Sequence, residues 1–140
     1  MRILVVDDDD DIREVLGLIL RSQGYEVDEA VDGLDALSRL QADEGALPSV
    51  IVLDLMMPRL DGEGFMRALM REPRLRDIPV WIISGHAEAC DKATELGARG
   101  CLLKPIDLDQ ALAALRSTER PPENTARGGA GVTLRSQYRP

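Results

Sequence analysis

Short apolar segments alternate with helix-patterned segments along the first 117 or so residues, and this alternation most constrains the fold. The five apolar runs are residues 3–6, 25–30, 50–53, 80–83 and 101–103. The first, third and fourth are continuously apolar, which is typical of parallel strands covered by helices on both faces. The pattern predicts a three-layer, doubly wound (βα)5 α/β sandwich with a parallel five-stranded sheet. In the flavodoxin-like strand order 2-1-3-4-5, ligands bind at the carboxyl ends of the strands.

Turn and cap residues separate the predicted helices from the strands. Gly24 and Gly97 follow the first and fourth helical patterns as predicted ends, and Pro73 follows the third. The second helix is predicted to begin at Asp32–Gly33 and the fifth at Asp107. Each crossover is therefore long enough to return the chain to a parallel strand.

Charge and composition divide the chain at about residue 118. The net charge is −8, but residues 119–140 carry four arginines against two glutamates, so the excess of acid lies in residues 1–118. This balance argues against direct nucleic-acid binding by the folded part. We predict one domain over residues 1–118, followed by a disordered Pro/Gly/Arg-rich tail over 119–140. Without a membrane-length apolar run or a signal segment, we expect a cytoplasmic protein with no membrane partner.

The chain has two cysteines, Cys90 and Cys101. Two are too few for a disulfide framework, so both are expected to be reduced. Cys101 lies in an apolar run and is predicted to act as a small buried hydrophobe. A redox role is disfavoured because buried thiols are usually inert.

Polar residues terminate four of the predicted strands at their carboxyl ends. They are Asp7 and Asp8, Asp54, Ser84, and Lys104. Three carboxylates at one edge repel each other unless a cation lies among them, and oxygen ligands favour Mg²⁺. A carboxylate beside Mg²⁺ can act as a nucleophile towards phosphorus, with a lysine and a hydroxyl contacting the other phosphoryl oxygens.

These motifs resemble those of the receiver domain of response regulators in two-component signalling, of the chemotaxis-type single-domain kind. The likeness rests on Val-Val-Asp-Asp at 5–8, Asp-Leu-Met-Met-Pro at 54–58 with Asp-Gly at 61–62, Ser-Gly at 84–85 and Lys-Pro at 104–105. The resemblance implies these roles: phosphoacceptor, Asp54; Mg²⁺ ligands, Asp7, Asp8, Asp54 and the Met56 backbone carbonyl; phosphoryl-sensing groups, Ser84 and Lys104. It also implies structural roles for Pro58, Gly62 and Pro105, the last after a cis peptide bond.

Other residues near these motifs have plainer interpretations. Among Asp9, Asp10 and Asp11, one is expected to cap the first helix and the others to favour its N-terminal dipole. The family resemblance places Met56 and His86 where side chains tune the lifetime of the phosphoryl group, although an exposed loop histidine is an equally good interpretation of His86.

The sequence departs from the family pattern at Cys101, where an aromatic switch residue usually lies. A cysteine cannot report phosphorylation by ring rotation. We therefore hypothesise that the output depends on the loop after Ser84 and on the fourth helix. A downstream protein is expected to bind the face formed by helix 4, strand 5 and helix 5.

The resemblance implies a phosphorylation-activated switch that receives its phosphoryl group from a sensor histidine kinase, and not an enzyme with separate substrate turnover. A phosphorelay intermediate that passes the group to a histidine phosphotransfer protein is the alternative, and a homodimer is left open. An acid-nucleophile phosphatase is disfavoured because Met56 lies where such enzymes need a second carboxylate. The complete acidic, hydroxyl and lysine set argues against an inactive receiver, and the carboxylates after strand 1 argue against a flavodoxin.

Overall fold

Five parallel strands form the centre of the molecule. The computed structural model describes residues 1–42, 47–55 and 60–118. The strands are β1 (Arg2–Val6), β2 (Glu26–Ala30), β3 (Val50–Asp54), β4 (Val80–Ser84) and β5 (Gly100–Leu103). All pairings are parallel and the order is β2-β1-β3-β4-β5. The predicted fold class and strand order are therefore confirmed.

Five helices connect and follow the strands. They are α1 (Asp10–Ser22), α2 (Gly33–Ala42), α3 (Gly62–Arg71), α4 (Ala87–Glu95) and α5 (Leu108–Thr118). Asp9 is the N-cap of α1, where its carboxylate accepts hydrogen bonds from two backbone N–H groups of the first turn. Gly24 and Gly97 have positive φ angles of 93° and 108°, so the predicted glycine ends of α1 and α4 are confirmed.

The side chains of the strands alternate between two apolar cores. One core lies between the sheet and helices α2, α3 and α4, with Phe65, Met66 and Leu69 among its largest members. The other lies between the sheet and helices α1 and α5, and includes Trp81 and Leu115. The sheet is thus covered on both faces, which explains the continuously apolar strands β3 and β4. In the described residues, no helix is long and apolar enough to cross a membrane.

The structure corrects the prediction that both cysteines are reduced. Cys90 of α4 and Cys101 of β5 form a disulfide, with their Cα atoms 5.4 Å apart. That separation is typical of bridged cysteines, and it arises because α4 packs directly over β5. A spacing of eleven residues along the chain did not reveal this proximity. Cys101 is buried as predicted, but it is half of a cross-link instead of a free hydrophobic side chain.

Candidate functional site

The sheet topology brings the predicted site residues to one edge. Asp7 directly follows β1 and Asp54 ends β3, and these two strands are neighbours in the centre of the sheet. Ser84 ends β4, and Lys104 follows β5. Because all strands run in the same direction, their carboxyl ends converge, as the sequence predicted.

Three carboxylates form the centre of this edge. Asp7, Asp8 and Asp54 each offer an oxygen atom, and these atoms lie within 4.8 Å of one another. Asp7 and Asp54 are buried, whereas Asp8 is exposed. Mg²⁺ prefers a small number of carboxylate oxygens and retains water on its open side. Two buried carboxylates and one that faces solvent fit that preference.

Asp7 has the most unusual environment of the three. Its Oδ1 accepts a hydrogen bond of 2.9 Å from the Asp9 N–H, while its buried Oδ2 has no hydrogen-bond partner among the described residues. Burial raises the pKa of Asp7 to about 6, opposed by the Asp9 hydrogen bond and the Lys104 charge and aided by the Asp54 charge. An unpaired buried carboxylate oxygen is what a cation at this edge would satisfy.

The Lys104 ammonium lies beside the same cluster. Its Nζ lies 3.7 Å from Oδ2 of Asp54, and its side chain is partly exposed. The Lys104 backbone N–H donates to the Ser84 carbonyl at 2.8 Å, which fixes the lysine beside the end of β4. The Lys104–Pro105 peptide bond is cis, as the resemblance implied.

The Ser84 hydroxyl is engaged with the start of α4. Its Oγ accepts a hydrogen bond of 3.1 Å from the His86 N–H and donates one of 3.3 Å to the His86 carbonyl. His86 is the N-cap of α4 and makes no side-chain capping hydrogen bond. Ser84 is buried and His86 is exposed. Exposure alone does not test whether His86 tunes the lifetime of a phosphoryl group, so that role stays a prediction.

Two of the predicted site residues, Met56 and Pro58, lie outside the described residues. Gly62 begins α3, and its N–H donates to the Leu55 carbonyl at 3.1 Å. A Cβ atom at Gly62 would lie 2.7 Å from the Leu55 Cα, so only glycine fits there without movement of the backbone. This close approach gives a physical basis for the predicted structural role of Gly62.

The sequence did not identify Arg13 as part of the site. Its guanidinium donates a hydrogen bond of 2.7 Å to the Asp7 carbonyl and forms ion pairs with Asp10 and Glu29. The side chain is 13% exposed. Arg13 thereby holds the acidic β1–α1 loop against α1. In the sequence, only its position one helical turn after Asp9 could have indicated a role for Arg13 in the site. Many surface arginines have the same spacing from an acidic residue, so that signal is weak.

Comparisons with known proteins agree on one family. The model of the response regulator receiver domain matches residues 3–116. The probable transcriptional regulator ycf27 of Cyanophora paradoxa is 40% identical over 125 residues, which are 88% of this chain and 50% of the relative. The DNA-binding dual master transcriptional regulator RpaA of Synechocystis sp. is 38% identical over 131 residues, covering 87% of this chain and 52% of the relative.

Solved structures give the same result. The chemotaxis response regulator CheY4 of Vibrio cholerae superimposes with a TM-score of 0.76 at 30% identity, covering 84% of this chain and 97% of that one.

The chain spans about half the length of the curated relatives it matches. One of these relatives, RpaA, is a DNA-binding regulator. The expectation that nucleic acid is not a partner is therefore not supported for a full-length protein that contains this domain. By its sequence match, its fold and its solved neighbours, the chain belongs to the response regulator receiver domains of two-component systems.

Proposed function

We propose that this chain is a Mg²⁺-dependent phosphorylation switch in which Asp54 accepts a phosphoryl group from the phosphohistidine of a sensor kinase. One observation carries the proposal. The buried Asp54 carboxylate lies in one cluster with Asp7 and Asp8, and the Lys104 ammonium is 3.7 Å away. A nucleophilic carboxylate, a set of oxygen ligands and a cation are the groups that phosphoryl transfer requires.

The transfer forms one bond and breaks another. An Asp54 oxygen attacks phosphorus, the P–N bond to the histidine of the kinase breaks, and the bonding electrons leave with the imidazole. The product is an acyl phosphate on Asp54. In this proposal Lys104 neutralises one phosphoryl oxygen, and Ser84 donates its hydroxyl proton to another.

The metal would be held by Asp7, Asp8 and Asp54, with the Met56 carbonyl as the further ligand that the resemblance implies. Bound there, Mg²⁺ would neutralise the charge that develops on the phosphoryl oxygens. The residues of the chain themselves supply the acceptor, orient it at the end of β3 and bury it from bulk water.

The proposed output signal is a change in protein contacts. The only reactions that we propose for the chain are its own phosphorylation and dephosphorylation, without turnover of a separate substrate. The downstream partner is proposed to bind the face formed by α4, β5 and α5, in the cytoplasm, where sensor kinases present their phosphohistidine. In a longer protein, the proposed role of this domain is to receive the phosphorylation signal.

Phosphodonor labelling tests the proposal. The chain is incubated with acetyl phosphate with and without Mg²⁺, and incorporation is followed by intact mass and mapped by borohydride reduction. We expect one Mg²⁺-dependent acyl phosphate on Asp54, which is lost in Asp54→Asn. Asp28→Asn, which removes an exposed carboxylate of β2, is the matched control and keeps the label. Labelling that persists in Asp54→Asn, or its absence from the wild type in Mg²⁺, would refute the proposal.

A further inference from the structure

A covalent bridge joins α4 to β5. Cys90 lies near the middle of α4 and Cys101 is the second residue of β5. Both side chains are buried, each 1% exposed. The bridge therefore lies inside the core between the sheet and α4, not on the surface, and it links two elements of the proposed output face.

Helix α4 packs on β4 and β5 but buries few large side chains of its own. Its only buried residues are Cys90 and Ala93, whereas α3 buries Phe65, Met66 and Leu69. An alanine contributes little apolar area, so burial alone anchors α4 weakly. The N-cap residue of α4, His86, also makes no side-chain capping hydrogen bond, so the helix lacks the stabilisation that such a cap provides. The disulfide therefore adds a covalent link to the packing of α4 on β4 and β5.

The start of α4 is also connected to the site through Ser84. The Ser84 Oγ accepts the His86 N–H at 3.1 Å, so the hydroxyl proposed to contact the phosphoryl group now supports the N-cap of α4. When Ser84 turns towards a phosphoryl group on Asp54, the His86 N–H loses this acceptor. The first turn of α4 must then adjust, and Cys90 lies one helical turn beyond His86.

We propose that the Cys90–Cys101 disulfide is a redox-controlled lock on α4, so that the α4–β5 face responds to Asp54 phosphorylation only when the bridge is reduced. This inference rests on the proposed function for its phosphorylation step. In the oxidised form the bridge holds α4 on β5. In the dithiol form α4 is free to follow Ser84.

A cellular dithiol is the chemical class of reductant that opens the lock. A thiolate of the dithiol attacks one sulfur of the bridge and the S–S bond breaks, leaving a mixed disulfide. The second thiol of the reductant then displaces the protein thiolate and becomes a disulfide itself. Cys90 and Cys101 gain two electrons and two protons, and the dithiol loses both. Disulfides of cytosolic proteins, where they occur, are usually transient and redox-sensing or catalytic, which agrees with such a role.

Amide hydrogen exchange tests the lock directly. The full chain is oxidised with glutathione disulfide, and alkylation of the denatured protein reports whether the bridge has formed. Exchange at residues 87–95 is then measured before and after dithiothreitol, with and without beryllofluoride and Mg²⁺. We expect the amides of α4 to exchange at least about tenfold faster after reduction, because the disulfide no longer restrains local opening of the helix. Amides of α5 serve as the internal control and should change little.

The response to beryllofluoride separates the two proposals. Its binding is monitored by ¹⁹F NMR, and we expect it to alter α4 exchange in the reduced chain only. The double variant Cys90→Ala/Cys101→Ala should respond with or without dithiothreitol. Failure of the bridge to form, or equal α4 exchange in both redox states, overturns the lock. Equal α4 responses to beryllofluoride in both states overturn the gating of the output face. If beryllofluoride binds neither form, the proposed function fails, and the ratio of oxidised to reduced exchange rates still decides whether the lock exists.

Discussion

Substitution of Asp7 by asparagine is expected to stabilise the metal-free protein. Asp7 is 1% exposed, its Oδ2 has no hydrogen-bond partner among the described residues, and burial raises its pKa to about 6. Its negative charge is therefore costly in the folded state without a cation. Asparagine has nearly the same shape and keeps an oxygen that can accept the Asp9 N–H now bound by Oδ1. The new amide nitrogen can donate towards the neighbouring carboxylate of Asp54.

The size of the effect follows from the pKa. A shift from 3.8 to about 6 makes the charged form of Asp7 less stable in the folded protein than in the unfolded chain. At about 1.4 kcal/mol for each pKa unit, the cost is roughly 3 kcal/mol at neutral pH. Asparagine carries no charge and avoids this cost. We therefore expect Asp7→Asn to raise the free energy of unfolding by about 2–3 kcal/mol in metal-free buffer at neutral pH.

The pH dependence has a definite sign. Since the folded-state pKa of Asp7 is raised, the folded protein binds the proton more tightly than the unfolded chain. The contribution of Asp7 to stability is fully present below about pH 4 and is lost as the pH rises through about 6. The advantage of Asp7→Asn should therefore be largest above about pH 6 and vanish towards about pH 4.

Urea denaturation in the presence of a chelator, at a series of pH values, measures this difference. Asp11→Asn is the matched control, because it removes an exposed acidic charge from the first turn of α1 in the same loop region. It should change stability by less than about 0.5 kcal/mol. With saturating Mg²⁺ the wild type should recover stability, and Asp7→Asn should recover much less, because binding to the folded state alone stabilises it. An Asp7→Asn protein that is less stable than wild type without metal, or an advantage that does not depend on pH, would refute the reasoning.

Four further outcomes are expected. Gly62→Ala should lower the free energy of unfolding, measured by urea denaturation, by about 1–3 kcal/mol, because the new Cβ meets the Leu55 backbone. A Cβ atom at Gly85 would have no neighbour within 4 Å, so Gly85→Ala should change the stability very little. Lys104→Met should slow acetyl phosphate labelling by about 100-fold, while Lys92→Met, on exposed α4, should leave the rate unchanged. Asp9→Ala should cost about 1 kcal/mol through loss of the α1 cap, and unchanged stability would contradict that role. Reduction of the Cys90–Cys101 bridge should lower the free energy of unfolding by about 2–3 kcal/mol, and the double alanine variant should be insensitive to reductant.

Strong, repeated local signals made the fold predictable. Continuously apolar strands such as β3 are typical of parallel, buried strands, and right-handed βαβ crossovers restrict the sheet to a few strand orders, of which 2-1-3-4-5 is one. Asp7, Asp54 and Ser84 were found because each ends an apolar run, and a parallel sheet must bring such residues to one edge. Their proximity is a consequence of topology and required no knowledge of side-chain contacts.

The contacts that depend on packing between elements could not be predicted. The proximity of Cys90 and Cys101 is set by how α4 lies on β5, and neither the periodicity of α4 nor the burial of β5 encodes that distance. Arg13 is a similar case, since its hydrogen bond to the Asp7 carbonyl depends on the path of the β1–α1 loop. The raised pKa of Asp7 likewise follows from its burial, and two adjacent aspartates in the sequence do not reveal which of them is buried.

The coupling between the site and α4 is set by a small difference in hydrogen-bond energy. Release of His86 from Ser84 breaks two hydrogen bonds, each worth about 1 kcal/mol, and a hydrogen bond from the Ser84 hydroxyl to a charged phosphoryl oxygen returns about 1.5–3 kcal/mol. The net gain is therefore at most about 1 kcal/mol, which shifts a two-state equilibrium of α4 at most roughly fivefold. A free-energy difference of that size can shift the position of α4 in the dithiol form, but it cannot open the Cys90–Cys101 bond. Whether phosphorylation reaches the α4–β5 face therefore depends on the state of the bridge at Cys90 more than on the strength of the phosphoryl contacts.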